Sequence, residues 1–141
     1  MSVDFLPTLS RIDLVPKFCV AVLTLLFFGL SLAITFVRLR TKTLFFGAPA
    51  DPTSVLTKLV RAHGNTAEYV GLLALLILSL GVPPRPHWVT GLMLLAVAAR
   101  LLFVYAMLRC GSLEVFDPLR AVAVTGTYVA GLGLGAALLV S

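Results

Sequence analysis

Charge is scarce in this 141-residue chain, and negative charge scarcer still: 6 Asp and Glu stand against 11 Lys and Arg, and charged residues make up 12%. Soluble domains carry about 25% charged and roughly 45 to 50% apolar residues, whereas 60% are apolar here. Such a composition would leave large greasy patches facing water, which excludes an ordinary soluble domain. Cysteine is almost absent. Cys19 and Cys110 fall near opposite ends of apolar stretches, a bilayer thickness apart and far beyond the ~7 Å reach of a disulfide, so packed or boundary thiols are expected. The two histidines, His63 and His87, fall on opposite sides of the membrane and suggest no metal cluster. No basic run is interleaved with aromatics on a solvated surface, so the formal charge of +5 gives little reason to expect nucleic acid.

What is abundant is long apolar sequence. A membrane-spanning helix needs about 20 mostly apolar residues, and four candidate stretches are separated by short polar hinges. This predicts an all-α, up-down-up-down bundle forming one domain over residues 1–141, with spans near 15–37, 58–80, 88–108 and 118–140. The first stretch, Val15 to Val37, stops at Arg38, Arg40 and Lys42; positive charge after the apolar run reads as a retained span rather than a signal peptide. Prolines 83, 84 and 86 precede the third. Asp117 and Pro118 supply the cap and first-turn proline of the fourth.

The second span is the odd one. Its uninterrupted apolar part, Tyr69 to Val82, covers only about 21 Å of a ~30 Å hydrocarbon core, so the polar stretch before it must enter the membrane too. Asp51-Pro52 repeats the start signal of the fourth helix and predicts one helix from Pro52 to about Leu80. On it Arg61, Asn65 and Glu68 share a stripe about 60° wide that lipid cannot face, while His63 points elsewhere. Glu68 lies ten residues in from Lys58 and Arg100 nine in from Arg109, both roughly 14 Å deep, which predicts a Glu68–Arg100 ion pair. Arg38, Arg61 and Arg120 leave a cationic excess beside it. An anionic ligand or lipid would complete that excess.

Loops one and three with their helix ends hold Arg38, Arg40, Lys42, Lys58, Arg61, Arg109 and Arg120, against Arg11, Lys17 and Arg85 elsewhere, which predicts both loops in the cytoplasm and both termini outside. In the fourth helix Thr127, Gly131 and Gly135 stand four residues apart, a spacing that allows close helix approach. The neighbouring glycines form no nucleotide loop, since they lie inside an apolar span.

The run Arg61-Ala62-His63-Gly64-Asn65-Thr66-Ala67-Glu68-Tyr69 resembles the signature of the MAPEG family, membrane-associated proteins in eicosanoid and glutathione metabolism. Val37-Arg38-Leu39-Arg40, Ala99-Arg100-Leu101-Leu102 and Asp117-Pro118-Leu119-Arg120 extend the likeness over essentially the whole chain. The resemblance implies a homotrimer among membrane lipids, with glutathione as co-substrate bound between subunits by Arg38, Arg61, Asn65, Glu68 and Arg100. It makes Arg120 the catalytic residue, stabilising the thiolate that attacks a lipophilic small molecule in a transferase or peroxidase reaction. The short loops and the Ala-Glu-Tyr form of the motif resemble bacterial members, which implies the inner membrane.

This chain departs from that pattern at several positions. Phe103 replaces a polar ring, Met107 a tyrosine, and Ala121 and Val124 hydroxyls, which points away from the specialised eicosanoid activities; Gly71 replaces a proline, a change expected to affect helix shape more than chemistry. Tyr105 lies about 200° from Phe103 and is expected to face lipid or a neighbour. Two other readings stay open: a non-catalytic relative that binds glutathione or lipid, and a small multidrug-type exporter whose Glu68 would have to be unpaired and open to protons.

Overall fold

The computed structural model describes residues 11–43 and 51–140. They form four helices: α1 (Leu14–Thr41), α2 (Val55–Ser79), α3 (His87–Arg109) and α4 (Pro118–Leu139). The amide of Asp13 bonds the carbonyl of Gly81, Lys58 reaches Cys110, and Ala99 meets Gly126, so successive helices run antiparallel. Helix α1 packs on α2 and α3, and α4 on α3 and α2; α1 and α4 do not meet among the described residues. The predicted all-α up-down-up-down order is what the chain adopts. Helices α1, α3 and α4 are long and apolar enough to cross a membrane; α2 does not reach that measure. Its polar first half, with Lys58, Arg61, His63, Asn65 and Glu68, is the reason.

Helix α4 begins as its sequence signal says. Asp117 Oδ1 accepts the amides of Leu119 (2.8 Å) and Arg120 (3.3 Å), with Pro118 in the first turn. The same signal misleads at α2, which starts three residues after the predicted Pro52. Asp51 Oδ1 is spent on the amide and hydroxyl of Thr53, at 2.8 and 2.7 Å, closing a turn ahead of the helix. Capping falls to Ser54, whose Oγ accepts the Thr57 amide at 3.1 Å. Helix α1 runs on through Arg38 and Arg40 and stops at Lys42, whose φ of 52° is left-handed and lets its amide close on the Arg38 carbonyl.

Two apolar clusters fill the bundle. One, toward loop two, gathers Cys19, Leu23, Leu73, Ile77, Met93 and Leu134; the other, toward loop three, gathers Leu30, Leu59, Phe103, Met107 and Ala123. A thin polar layer separates them. It consists of Thr66, Arg100 and Thr127, all but sealed from solvent. The ends are fastened by charge: Arg85 pairs with Asp13 at 3.0 Å at the loop-two end, and Arg109 with Asp117 at 3.4 Å at the other.

Helix α4 approaches α3 through different glycines from those expected. A Cβ at Gly126 would lie 3.2 Å from Ala99 Cβ, and one at Gly133 2.6 Å from a Leu92 methyl, whereas Gly131 has ordinary room and Gly135 faces open space. The contacting pair is seven residues apart, two turns of one face. Four-residue spacing of small residues identified the helix but not its packed side.

Candidate functional site

Arg100 sits at the middle of the polar layer with no exposed surface. Its terminal nitrogens donate to Asn65 Oδ1 at 3.1 Å and Thr66 Oγ1 at 2.9 Å, both from α2. Its guanidinium carbon lies 4.6 Å from the Phe103 ring centre and 5.3 Å from that of Tyr69. Two neutral acceptors and two aromatic faces thus carry the cation, the faces through their quadrupoles. Phe103, where a polar ring was expected by resemblance, therefore serves this arginine with its π-face.

The predicted Glu68–Arg100 ion pair is absent among the described residues. Glu68 is exposed on the surface of the chain and acts on Arg100 only through space. Arg100 does reach the level of Asn65 and Tyr69 on α2, but two side chains must also share an azimuth to pair. The face of α2 that is buried runs through Leu59, Ala62, Thr66, Val70, Leu73 and Ile77. That face is centred about 135° around the helix from the stripe of Arg61, Asn65 and Glu68. Within the single chain Arg61 and Glu68 are exposed and Asn65 half-buried, so the stripe expected to be covered lies open.

Of the six residues singled out, the fold joins Asn65 and Arg100 directly. Arg38 is half-buried toward the end of α1. Arg120, in the first turn of α4, donates to the carbonyls of Leu113 (3.3 Å) and Val115 (2.8 Å), holding loop three against its own helix. Those acceptors are neutral, so the positive charge of Arg120 is not cancelled. Loop three is further tied by Lys58 Nζ on the Cys110 carbonyl (2.6 Å) and by the Leu113 amide on the Pro52 carbonyl (3.1 Å). Burial of Asp117 works to raise its pKa, but the amides of Arg120 and Leu119 and the charge of Arg109 together hold it below the ordinary carboxylate value.

Sequence reasoning missed Thr66, and the clue was the 3–4 spacing of Leu59, Ala62, Thr66 and Val70, which marks a face richer in small and apolar groups than the charged stripe. His63 does point away from that stripe: its Nε2 lies 2.8 Å from Ser31 Oγ and its ring stacks on Phe27. Tyr105 is exposed, as its angle predicted. A cavity of ≈ 310 Å³ between α1 and α2 is lined by Thr24, Phe27, Phe28, Ala67, Val70, Gly71 and Ala74. None of the cavities described is lined by Arg100 or Arg120.

Three apolar spans about a buried cationic layer define a helical membrane protein. The MAPEG family model matches residues 16–140, nearly the full chain, and the protein belongs to the MAPEG family. That family includes glutathione transferases and related proteins. No curated protein matches the chain. The match does not bear on the bacterial source expected above.

Proposed function

We propose that this protein is a glutathione-dependent membrane transferase or peroxidase for lipophilic electrophiles, working as a homotrimer. The observation that carries the reading is the open charged stripe on α2. Arg61 and Glu68 are exposed on the subunit at depths where lipid would otherwise face them, directly beside the half-buried Asn65 that Arg100 holds. Charge in that setting needs a covering partner and a polar ligand. A second and third copy provide the cover, and glutathione, with two carboxylates, an ammonium and a thiol, complements Arg38, Arg61, Asn65 and Glu68 group for group. Arg100 then orients Asn65 rather than meeting the ligand as half of an ion pair.

All four helices cross the bilayer in this reading. With α1 and α3 spanning in the same direction, the chain between them has to return through the membrane, and α2, at about 37 Å, is long enough. The basic residues favour loops one and three on the cytoplasmic side. The described residues begin at 11 and end at 140, so the outermost ends lie outside them.

Arg120 supplies the electrostatics of thiol activation. Its uncancelled charge and the amino end of α4 both favour a thiolate placed beside them. The thiolate attacks the electrophilic carbon as the leaving group departs with its bonding pair. With a hydroperoxide it attacks the terminal oxygen; the alcohol leaves, and a second glutathione converts the sulfenic acid to disulfide and water. Titration of glutathione into the detergent-purified protein, followed by turnover of 1-chloro-2,4-dinitrobenzene and cumene hydroperoxide, tests this. Binding with turnover is expected. Binding without turnover supports a non-catalytic relative, and absence of binding overturns both. In Arg120→Leu the thiolate ultraviolet absorbance should vanish at neutral pH while glutathione still binds; one pKa unit of thiolate preference is about 1.4 kcal/mol.

A further inference from the structure

Lys58 stands in the first turn of α2, where the positive end of the helix disfavours a cation, and it is only 8% exposed. An ammonium held there against its own helix needs an acceptor elsewhere. Its Nζ donates to the Cys110 carbonyl at 2.6 Å, short even for a charge-assisted bond. Cys110 is the C-cap of α3, so the acceptor belongs to the negative end of that helix. No carboxylate lies within ion-pair distance of the ammonium among the described residues. A methionine would fill the same space without the cost of burying a charge, so what distinguishes the lysine is that bond.

The bond reaches Arg120 through one short segment. Three residues past Cys110, Leu113 is held from both sides: its amide donates to the Pro52 carbonyl at 3.1 Å, ahead of α2, and its carbonyl accepts from Arg120 Nη1 at 3.3 Å. Arg120 Nη2 donates to the Val115 carbonyl at 2.8 Å. Arg120 has no carboxylate partner among the described residues, so those two carbonyls decide where its long side chain carries the charge. A guanidinium has more donors than these, which leaves some for a ligand.

We propose that Lys58 is a positioning residue for Arg120: its bond to Cys110 fixes loop three, and the Leu113 and Val115 carbonyls of that loop fix the guanidinium. The proposal rests on the functional reading above, in which the Arg120 charge favours the glutathione thiolate. Retreat of a unit charge from about 4 to about 6 Å, at an effective dielectric constant of about 20, raises the thiol pKa by about one unit. Lys58 itself does not meet glutathione in this scheme.

The test is a pH titration of the thiolate ultraviolet absorbance of glutathione bound to the full-length protein in lipid nanodiscs. In Lys58→Met glutathione should still bind, and its thiol pKa should rise by about one unit, about a tenfold loss of thiolate well below that pKa. Lys58→Arg, which can still donate to the carbonyl, should return most of the shift. If Lys58→Met does not fold, Lys58→Gln, uncharged and shorter, takes its place with the same expectation. In an Arg120→Leu background Lys58→Met should add nothing, because a positioning residue acts only through the residue it places. An unchanged thiol pKa in folded Lys58→Met overturns the proposal even where thermal stability falls, since a merely structural tie moves stability alone. An equal rise in Lys58→Arg overturns it too, as does a further rise in the Arg120→Leu background or a loss of glutathione binding in folded Lys58→Met, either of which would have Lys58 act on the ligand itself. No bound thiolate in the wild type, or one that survives Arg120→Leu, overturns the functional reading and this proposal with it, whereas an Arg120→Leu loss beside an unchanged Lys58→Met overturns the proposal alone.

Discussion

Helix α3 faces two neighbours and meets each with different chemistry. Toward α2 it presents Arg100, held by Asn65 and Thr66; toward α4 it presents Leu92, Leu95 and Ala99 against Gly126 and Gly133. The first seam depends on complementary partners and the second on missing volume. In hydrocarbon neither gains from expelling water. A polar seam holds because every alternative leaves a charge unsatisfied, and a glycine seam because backbones come close enough for dispersion to accumulate.

The largest expected effect breaks the polar seam by taking the partners and leaving the charge. Asn65→Leu with Thr66→Val should cost about 3 to 5 kcal/mol, the penalty of an uncompensated buried ion. Arg100→Met, which removes the charge and strands two neutral acceptors, should cost about 1 to 3 kcal/mol. Reversible denaturation in mixed micelles gives both values, and an Arg100→Met loss exceeding that of the double variant would reverse the argument.

Next comes the glycine seam. Gly126→Val pushes a branched side chain into Ala99, whose Cβ cannot rotate away, and should cost about 1 to 3 kcal/mol. Gly135→Val, facing open space in the subunit, should stay within about 0.5 kcal/mol in the same assay. Equal losses would mean that α4 packs on α3 by another face. At Gly133 the obstacle is a leucine methyl, which can turn, so Gly133→Ala should fall between them.

A smaller effect separates the loop-three end from both seams. Asp117 has a lowered pKa in the fold, so its stabilisation is complete above the unfolded carboxylate value, near 3.9, and is lost as pH falls through the lower folded value. Amide exchange in the first turn of α4 should accelerate over that acidic window in the wild type. In Asp117→Asn the window should be missing. The smallest expectation concerns Glu68: since it makes no ion pair in the subunit, Glu68→Gln should shift subunit unfolding by less than about 0.5 kcal/mol while weakening glutathione binding. A stability loss comparable to that of the Asn65/Thr66 double variant would restore the Glu68–Arg100 pair.

Much of this architecture was legible beforehand. The fourth helix starts where Asp117-Pro118 says, the basic ends of α1 and α3 bound their apolar runs, and the family signature on α2 was readable from Arg61 to Tyr69. Two local readings failed for a common reason. Asp51 carries the same start signal as Asp117 but is captured by Thr53, and Gly135 fits the small-residue spacing of Gly131 but has open space where a Cβ would stand. A side chain's type states what it can do, and its neighbours determine whether it is free to do it.

Hydropathy and a constant rise per residue are properties of position along one helix. The sequence by itself therefore determined the number of helices, their antiparallel order and how far along its helix each polar group lies. Azimuth is not such a property. Which side of α2 turns inward depends on how α1, α3 and α4 crowd it together, and only the tertiary structure placed Thr66 under Arg100, left Glu68 outside and brought Tyr69 to Tyr128. A rotation of about 135° exchanges those outcomes without altering the position of any residue along the helix, because side chains around a helix are distinguished only by what they meet.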